Sequence, residues 1–275
     1  MSINFAHIYP TAFLHSHATE QKVHLCLAHL VETDLRYVEF YANLPKDHKI
    51  ILDNSAFEMY KQGREMYPSD KLIEMGRQID ADIIVLSDYP GQHVDVTIRA
   101  AEKLIPEFKA AGFGTFFVPQ SEIGNFGQFM EGFDFALQTP DIDLIGVSIL
   151  GCPNAFGVEK GNKLQRYLSR KATFDALRNR GALGPHAENR FHCLGMTDGP
   201  NEVTLLKQYH PYIFSWDSSA AFWAGAHGIR FDHSPTGLID GKFEREVDFG
   251  FTTHLNGTRR KIIEENERWI NQQCG

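Results

Sequence analysis

Short apolar runs recur along the chain, and eight of them can be laid out in order, at roughly 3–9, 36–41, 49–53, 82–87, 114–119, 143–149, 190–195 and 211–216. Runs of this length fit parallel strands buried on both faces. Longer stretches with helical spacing separate most of them. The first is 18–33, with Val23, Leu25, Leu27, Leu30 and Val31 as its apolar positions; 69–80, 93–111, 122–138, 160–181 and 200–209 follow. Pro68-Ser69-Asp70 and Asp198-Gly199-Pro200 read as helix starts, and Gly112 and Gly181 as helix stops. Strands alternating with helices predict an α/β fold with a parallel sheet. Eight of them predict a (β/α)8 TIM barrel, a single domain over residues 1–275, closed by a helix at 257–272. The barrel is irregular near the second and third strands. Residues 42–48 are too few for the right-handed helical crossover that joins parallel strands, so one of those two strands is misplaced or lies outside the barrel. Residues 228–256, rich in Gly, Asp and His, predict loops or a hairpin near the mouth.

Composition narrows the class. At 275 residues and 43% hydrophobic content the chain is close to the roughly 250 residues of one such barrel. A formal net charge of −8 argues against a surface coated in basic residues, yet leaves room for a local basic patch. Cys26, Cys152, Cys193 and Cys274 form no Cys-x-x-Cys pair and no zinc-finger spacing with histidine, which points to free thiols in a reducing compartment. With no signal peptide and no run of about 18 apolar residues, the expectation is a cytoplasmic protein without a membrane span.

Three aspartates change the picture. Asp53, Asp88 and Asp217 each close or follow a β-forming run, in Lys49-Ile50-Ile51-Leu52-Asp53, Ile83-Ile84-Val85-Leu86-Ser87-Asp88 and Tyr212-Ile213-Phe214-Ser215-Trp216-Asp217. Burying a carboxylate costs several kcal/mol unless it is paired. In a parallel barrel the C-terminal strand ends share one mouth, where active sites sit, so the three acids converge on one pocket. After Asp53, the segment Asn54-Ser55-Ala56-Phe57-Glu58 has small residues that let backbone approach a planar ligand, and Phe57 can stack on it. An Asx turn capping a helix explains the same residues. Asp88 can accept two hydrogen bonds from an amidine-like edge such as N1–H and the 2-amino group of guanine, or cap the next helix. Gln120, after Val118-Pro119, offers a donor and an acceptor. Gly146, in Gly146-Val147-Ser148, removes a side chain where backbone can meet a ligand, although tight barrel packing accounts for it equally. Asp217 precedes small residues and can attack a sugar carbon, or cap a helix starting near Ser219. Lys160, Lys163, Arg166, Arg170 and Lys171 form either a solvated helix face or a patch that tracks phosphates. His15-Ser16-His17 invites a metal-centre reading, but Gln120 and Ser148 stand where an amidohydrolase needs histidines, so no metal is expected.

Together these segments resemble the tRNA-guanine transglycosylase superfamily over most of the chain. Asp53-Asn54-Ser55-Ala56-Phe57-Glu58 resembles its Asp-Ser-Gly-Gly-Phe/Tyr-Gln segment, and Val118-Pro119-Gln120 its Val-Gln-Gly. Gly146-Val147-Ser148 resembles Gly-Gly-Leu, His192-Cys193-Leu194-Gly195-Met196 resembles Tyr-Leu-Met-Gly, and Phe214-Ser215-Trp216-Asp217 resembles the Met-Phe-Asp that holds the nucleophile. The zinc site of the tRNA enzymes is absent, and Ser218-Ser219-Ala220-Ala221-Phe222-Trp223 replaces the Arg-rich segment after the nucleophile. In this the chain is most similar to the compact phage DNA-guanine transglycosylases. The resemblance implies a pentosyltransferase that exchanges guanine in DNA for a free 7-deazaguanine base, as a DNA modification that protects against restriction, in the host cytoplasm and without a cofactor. It implies Asp217 as nucleophile and Asp53 as general acid/base. Asp88, Gln120 and backbone from Gly146 through Val147 to Ser148 would read the base. Phe57 and Leu194 or Met196, beside Gly195, would sandwich it. The basic patch would contact DNA, and a homodimer is compatible with this reading. The alternatives are a zinc-free tRNA-guanine transglycosylase, a non-catalytic purine-binding barrel, and a barrel glycosidase.

Overall fold

The computed structural model describes residues 2–196, 200–233 and 248–275. Its strands are β1 (Asn4–His7), β2 (Val23–Leu27), β3 (Lys49–Asp53), β4 (Ile83–Val85), β5 (Gly114–Phe117), β6 (Leu144–Ser148), β7 (Phe191–Leu194) and β8 (Ile213–Ser218). All pair in parallel, in the order β1-β8-β7-β6-β5-β4-β3-β2. The end strands β1 and β2 lie against each other, so the sheet curls into a nearly closed (β/α)8 barrel. Leu52, Ile84, Phe116, Ile145, Cys193 and Trp216 are fully buried in its wall. Among the described residues no backbone hydrogen bond joins β1 to β2. The Gln21 side chain bridges them instead: its Oε1 accepts from His7 N at 2.5 Å and its Nε2 donates to His7 O at 3.1 Å.

The irregularity expected near the second strand has a definite cause. Residues 36–41 are not a strand; they belong to the helix Leu35–Ala42. The Asp34 side chain caps that helix by accepting from Arg36 N at 3.0 Å, and Tyr37, Phe40 and Tyr41 are buried at helical spacing. The second strand is Val23–Leu27, inside the span expected to be helical. Val23, Leu25 and Leu27 alternate as a strand requires, whereas Leu30 and Val31 continue into the helix Ala28–Thr33. The crossover from β2 to β3 therefore carries two helices and the topology is regular.

The first strand and the third to seventh fall inside their expected spans. β8 runs two residues further than expected and takes in Asp217. The helices Val94–Ala110 and Lys163–Asn179 end before Gly112 and Gly181, whose φ of 93° and 71° are left-handed and favour glycine. The helix Ser69–Gln78 follows Pro68, and Gly257–Cys274 is the last helix. The start expected at 198–200 lies partly outside the described residues, as does most of the 228–256 segment. Among the described residues no helix is long and apolar enough to cross a membrane.

Candidate active site

A cavity of about 1220 Å³ opens at the C-terminal ends of the strands and is lined by Asp53, Asp88 and Asp217 together. Asp53 ends β3, where its Oδ1 accepts from Ser55 N at 2.6 Å; Asn54 Oδ1 accepts in the same way from Ala56 N at 2.8 Å. Two successive Asx turns thus lead into the helix Ala56–Gln62, whose N-cap, Ser55, makes no side-chain cap hydrogen bond. They leave Ser55 with a left-handed φ of 57°, held by His29, whose N and Nδ1 lie 3.2 and 2.9 Å from Ser55 Oγ. Burial pushes Asp53 well above the ordinary carboxylate range, and the negative charges of Glu58, Asp88 and Asp217 push it further, against the opposing Ser55 N–H. Glu58, also in the cavity wall, is raised chiefly by burial.

Asp88 lies three residues beyond β4 and is 5% exposed. Asn54 Nδ2 donates to its Oδ1 at 2.9 Å and Gln120 Nε2 to its Oδ2 at 2.6 Å. Asn54 Nδ2 also donates to Leu86 O at 2.7 Å, so its orientation is fixed from both ends of the amide. Burial still raises Asp88 from 3.8 to about 6, the two amides acting the other way. Asp88 does not cap the following helix, whose N-cap is His93. Each carboxylate oxygen accepts more than one hydrogen bond, so this triad can still receive two donors from a ligand.

Asp217 is 4% exposed and is not a helix cap either. Its Oδ1 accepts from His192 Nε2 at 2.9 Å and from Gly195 N at 3.1 Å. His192 Nδ1 lies 2.7 Å from Ser215 Oγ. A neutral ring donating from Nε2 accepts the Ser215 hydroxyl at Nδ1, which fixes the imidazole under the carboxylate. Both bonds fall on one oxygen, and Oδ2 is unengaged among the described residues.

Of the remaining expected residues, Gln120, Phe57, Ser148, Leu194, Gly195, Met196 and Arg166 line the same cavity. Phe57 is 42% exposed, with Lys61 over its ring. The Ser148 hydroxyl accepts from Leu150 N and Gly151 N at 3.1 and 3.3 Å and so starts the next helix. Gly146 and Val147 do not line the cavity. A Cβ on Gly146 would meet Val118 at 2.9 Å and Leu194 and Phe116 at 3.0 Å, so barrel packing requires this glycine. The basic segment divides. Arg170 is fully buried, ion-paired with Glu202 at 3.1 Å, and cannot reach a phosphate. Lys171 pairs with Asp175 at 2.6 Å. Lys160, Lys163 and Arg166 have no ion-pair partner among the described residues. His15 packs edge-on against Phe40, and His17 stacks on Tyr9 and lies 3.3 Å from Glu267, away from the cavity.

Asn54, Glu58, His29 and His192 were not singled out from sequence as site residues. His192 left one usable signal: a titratable residue inside the apolar run Phe191-His192-Cys193-Leu194, where burial demands a partner. No protein-family model matches the chain, and no curated protein matches it.

Proposed function

We propose that this protein is a pentosyltransferase that exchanges guanine in DNA for a free 7-deazaguanine base through a covalent aspartyl-deoxyribosyl intermediate. The observation that carries this reading is the pairing, in one cavity, of two differently tuned carboxylate sites. One is a carboxylate held by amide donors and shaped for an N–H/NH2 edge, Asp88 with Asn54 and Gln120. The other is Asp217, oriented by His192 and Gly195 with one oxygen free among the described residues.

On this reading a flipped deoxyguanosine enters the mouth, with its base edge on Asp88 and Gln120 and its ring over Phe57. Asp217 Oδ2 forms a bond to C1′ as the bond from C1′ to N9 breaks, and the electron pair leaves with guanine. Asp53, whose hold on a proton is strengthened by burial and its acidic neighbours, gives its proton to the departing base. Guanine leaves and the 7-deazaguanine takes its place. Its N9 attacks C1′, the ester bond to Asp217 breaks, and the N9 proton returns to Asp53. Both bases present the same edge, so one pocket serves both. Arg166, which lines the cavity, together with Lys160 and Lys163 close by in sequence, would supply positive charge for the backbone of the strand. The absence from the sequence of the family's zinc-binding cysteines favours DNA over tRNA, because the four cysteines are dispersed and buried.

The test is incorporation of radiolabelled guanine into mixed-sequence DNA and, in parallel, into bulk tRNA, with Asp217→Ala as control. Label entering DNA with wild type alone is the expected result. Entry into tRNA alone moves the assignment to the RNA substrate, and wild-type rates in the Asp217→Ala protein remove the nucleophile. Nucleoside mass spectrometry of DNA from cells expressing the protein with a 7-deazaguanine supply identifies the incoming base.

A further inference from the structure

We infer that Arg170, together with Trp216, is a positioning residue for Asp217, acting through the two peptides that flank Gly195. The inference rests on the reading of Asp217 as nucleophile. The N–H that reaches Asp217 belongs to the peptide between Leu194 and Gly195, and a trans peptide points its carbonyl and its N–H in opposite directions. That carbonyl, Leu194 O, accepts from Arg170 Nη2 at 2.6 Å and from Ile149 N at 3.0 Å. Holding the carbonyl at Arg170 aims the Gly195 N–H at Asp217, 3.1 Å away. The next carbonyl, Gly195 O, is held as well, by Arg170 Nη1 and Nη2 at 3.2 Å each and by Trp216 Nε1 at 2.7 Å.

The turn between these carbonyls favours glycine. Gly195 has a φ of 69°, and a Cβ there would meet Ile149 at 2.7 Å. The guanidinium is itself fixed on two sides: Glu202 lies 3.1 Å from Nη1, and the Trp216 ring lies 5.0 Å below its carbon. Both members of the ion pair are out of contact with solvent. Burying such a pair is weak evidence for stability, since apolar residues of similar size often do as well. What the apolar replacement cannot do is hold two carbonyls with one planar fork. The consequence is a nucleophile whose N–H donor is set before substrate arrives, as preorganised donors around reacting oxygens are.

The experiment compares Trp216→Phe, Arg170→Lys and the paired variant Arg170→Met/Glu202→Leu, which leaves no charge buried, with wild type and Asp217→Ala. Melting and free-guanine affinity are measured beside single-turnover exchange of labelled guanine into mixed-sequence DNA. The expected result is unchanged guanine affinity, exchange slowed about fivefold in Trp216→Phe and about a hundredfold in the paired variant, and partial recovery in Arg170→Lys, the scale set by loss of one donor to a reacting oxygen. Wild-type exchange in the clamp variants with an inactive Asp217→Ala overturns the positioning role and leaves the nucleophile. Wild-type exchange in Asp217→Ala overturns the nucleophile instead. A double-mutant cycle on unfolding, Arg170→Lys with Asp217→Asn, reads the clamp without turnover. Coupling of about fivefold in the unfolding constant supports it, on the scale of residues sharing one network, and strict additivity overturns it whatever the exchange rates.

Discussion

Asp88→Asn should make the protein more stable and worse at its proposed task. Asp88 is 5% exposed, and burial raises it from 3.8 to about 6 even though two amides donate to it. The folded state therefore holds this proton more tightly than the unfolded chain does. Stability from this group is fully present below 3.8, falls as pH rises through the interval up to about 6, and is absent above it. That interval corresponds to about 3 kcal/mol at pH 8. Asparagine removes the ionisation but has one acceptor oxygen for two donors. Asn54 cannot turn, because Ala56 N and Leu86 O hold both ends of its amide, so Gln120 must rotate to accept from the new side chain. Allowing about 1–2 kcal/mol for that rearrangement leaves Asp88→Asn roughly 1–2 kcal/mol more stable than wild type at pH 8. The advantage should vanish near pH 5 and reverse by about 1 kcal/mol at pH 4. Guanine would meanwhile lose its charged acceptor and meet a reversed Gln120 amide, weakening binding by about a hundredfold. Urea unfolding at pH 4, 6 and 8 and calorimetric titration with guanine test both halves. Equal pH dependence in wild type and variant, or unchanged guanine affinity, would refute the argument.

His24 and His48 stack at the other end of the barrel with Nε2 and Nδ1 3.1 Å apart, and burial, with His48 beside it, lowers His24 to about 4. Stability from His24 is present above 6.5 and lost as pH falls toward 4, by about 3 kcal/mol, opposite in sign to Asp88; urea midpoints for His24→Gln should lack that loss. Gly146→Ala forces a methyl to within 2.9–3.0 Å of Val118, Leu194 and Phe116 and should lower stability by about 1–3 kcal/mol, measured by thermal unfolding, with no separate effect on guanine affinity. Phe57→Ala, at an exposed rim, should leave unfolding nearly unchanged and weaken guanine binding by about tenfold, read by titration.

The barrel was legible because buried parallel strands write short apolar runs, and Asp53 and Asp217 stood out because a carboxylate at the end of such a run is costly without a purpose. β2 was obscured by its neighbour. Val23, Leu25 and Leu27 alternate, but they run straight into the helical Leu30 and Val31, and seven apolar residues in nine, with Cys26 and Ala28 between, fit either period. Tyr37, Phe40 and Tyr41 carry the helical spacing, yet aromatic and β-branched content made 36–41 look extended. Arg170 was misread because a helix rich in Lys and Arg normally faces water; the partner that takes it inside, Glu202, is 32 residues away in sequence. Asn54 was visible in its motif but not as the link to Asp88, because that contact crosses from one strand end to the next.

The Gln21 bridge has a mechanical consequence. Seven joints of the wall are laced by backbone ladders, and the eighth, between β1 and β2, is joined by a single side-chain amide among the described residues. β8, which carries Asp217, and β3, which ends in Asp53, are the immediate neighbours of that joint on its two sides, whereas Asp88 and Gln120 follow the adjacent, fully laced strands β4 and β5. On the proposed mechanism, the least laced joint of the barrel thus lies between the strands that carry the two carboxylates flanking C1′, and the base edge would be read from the fully laced side.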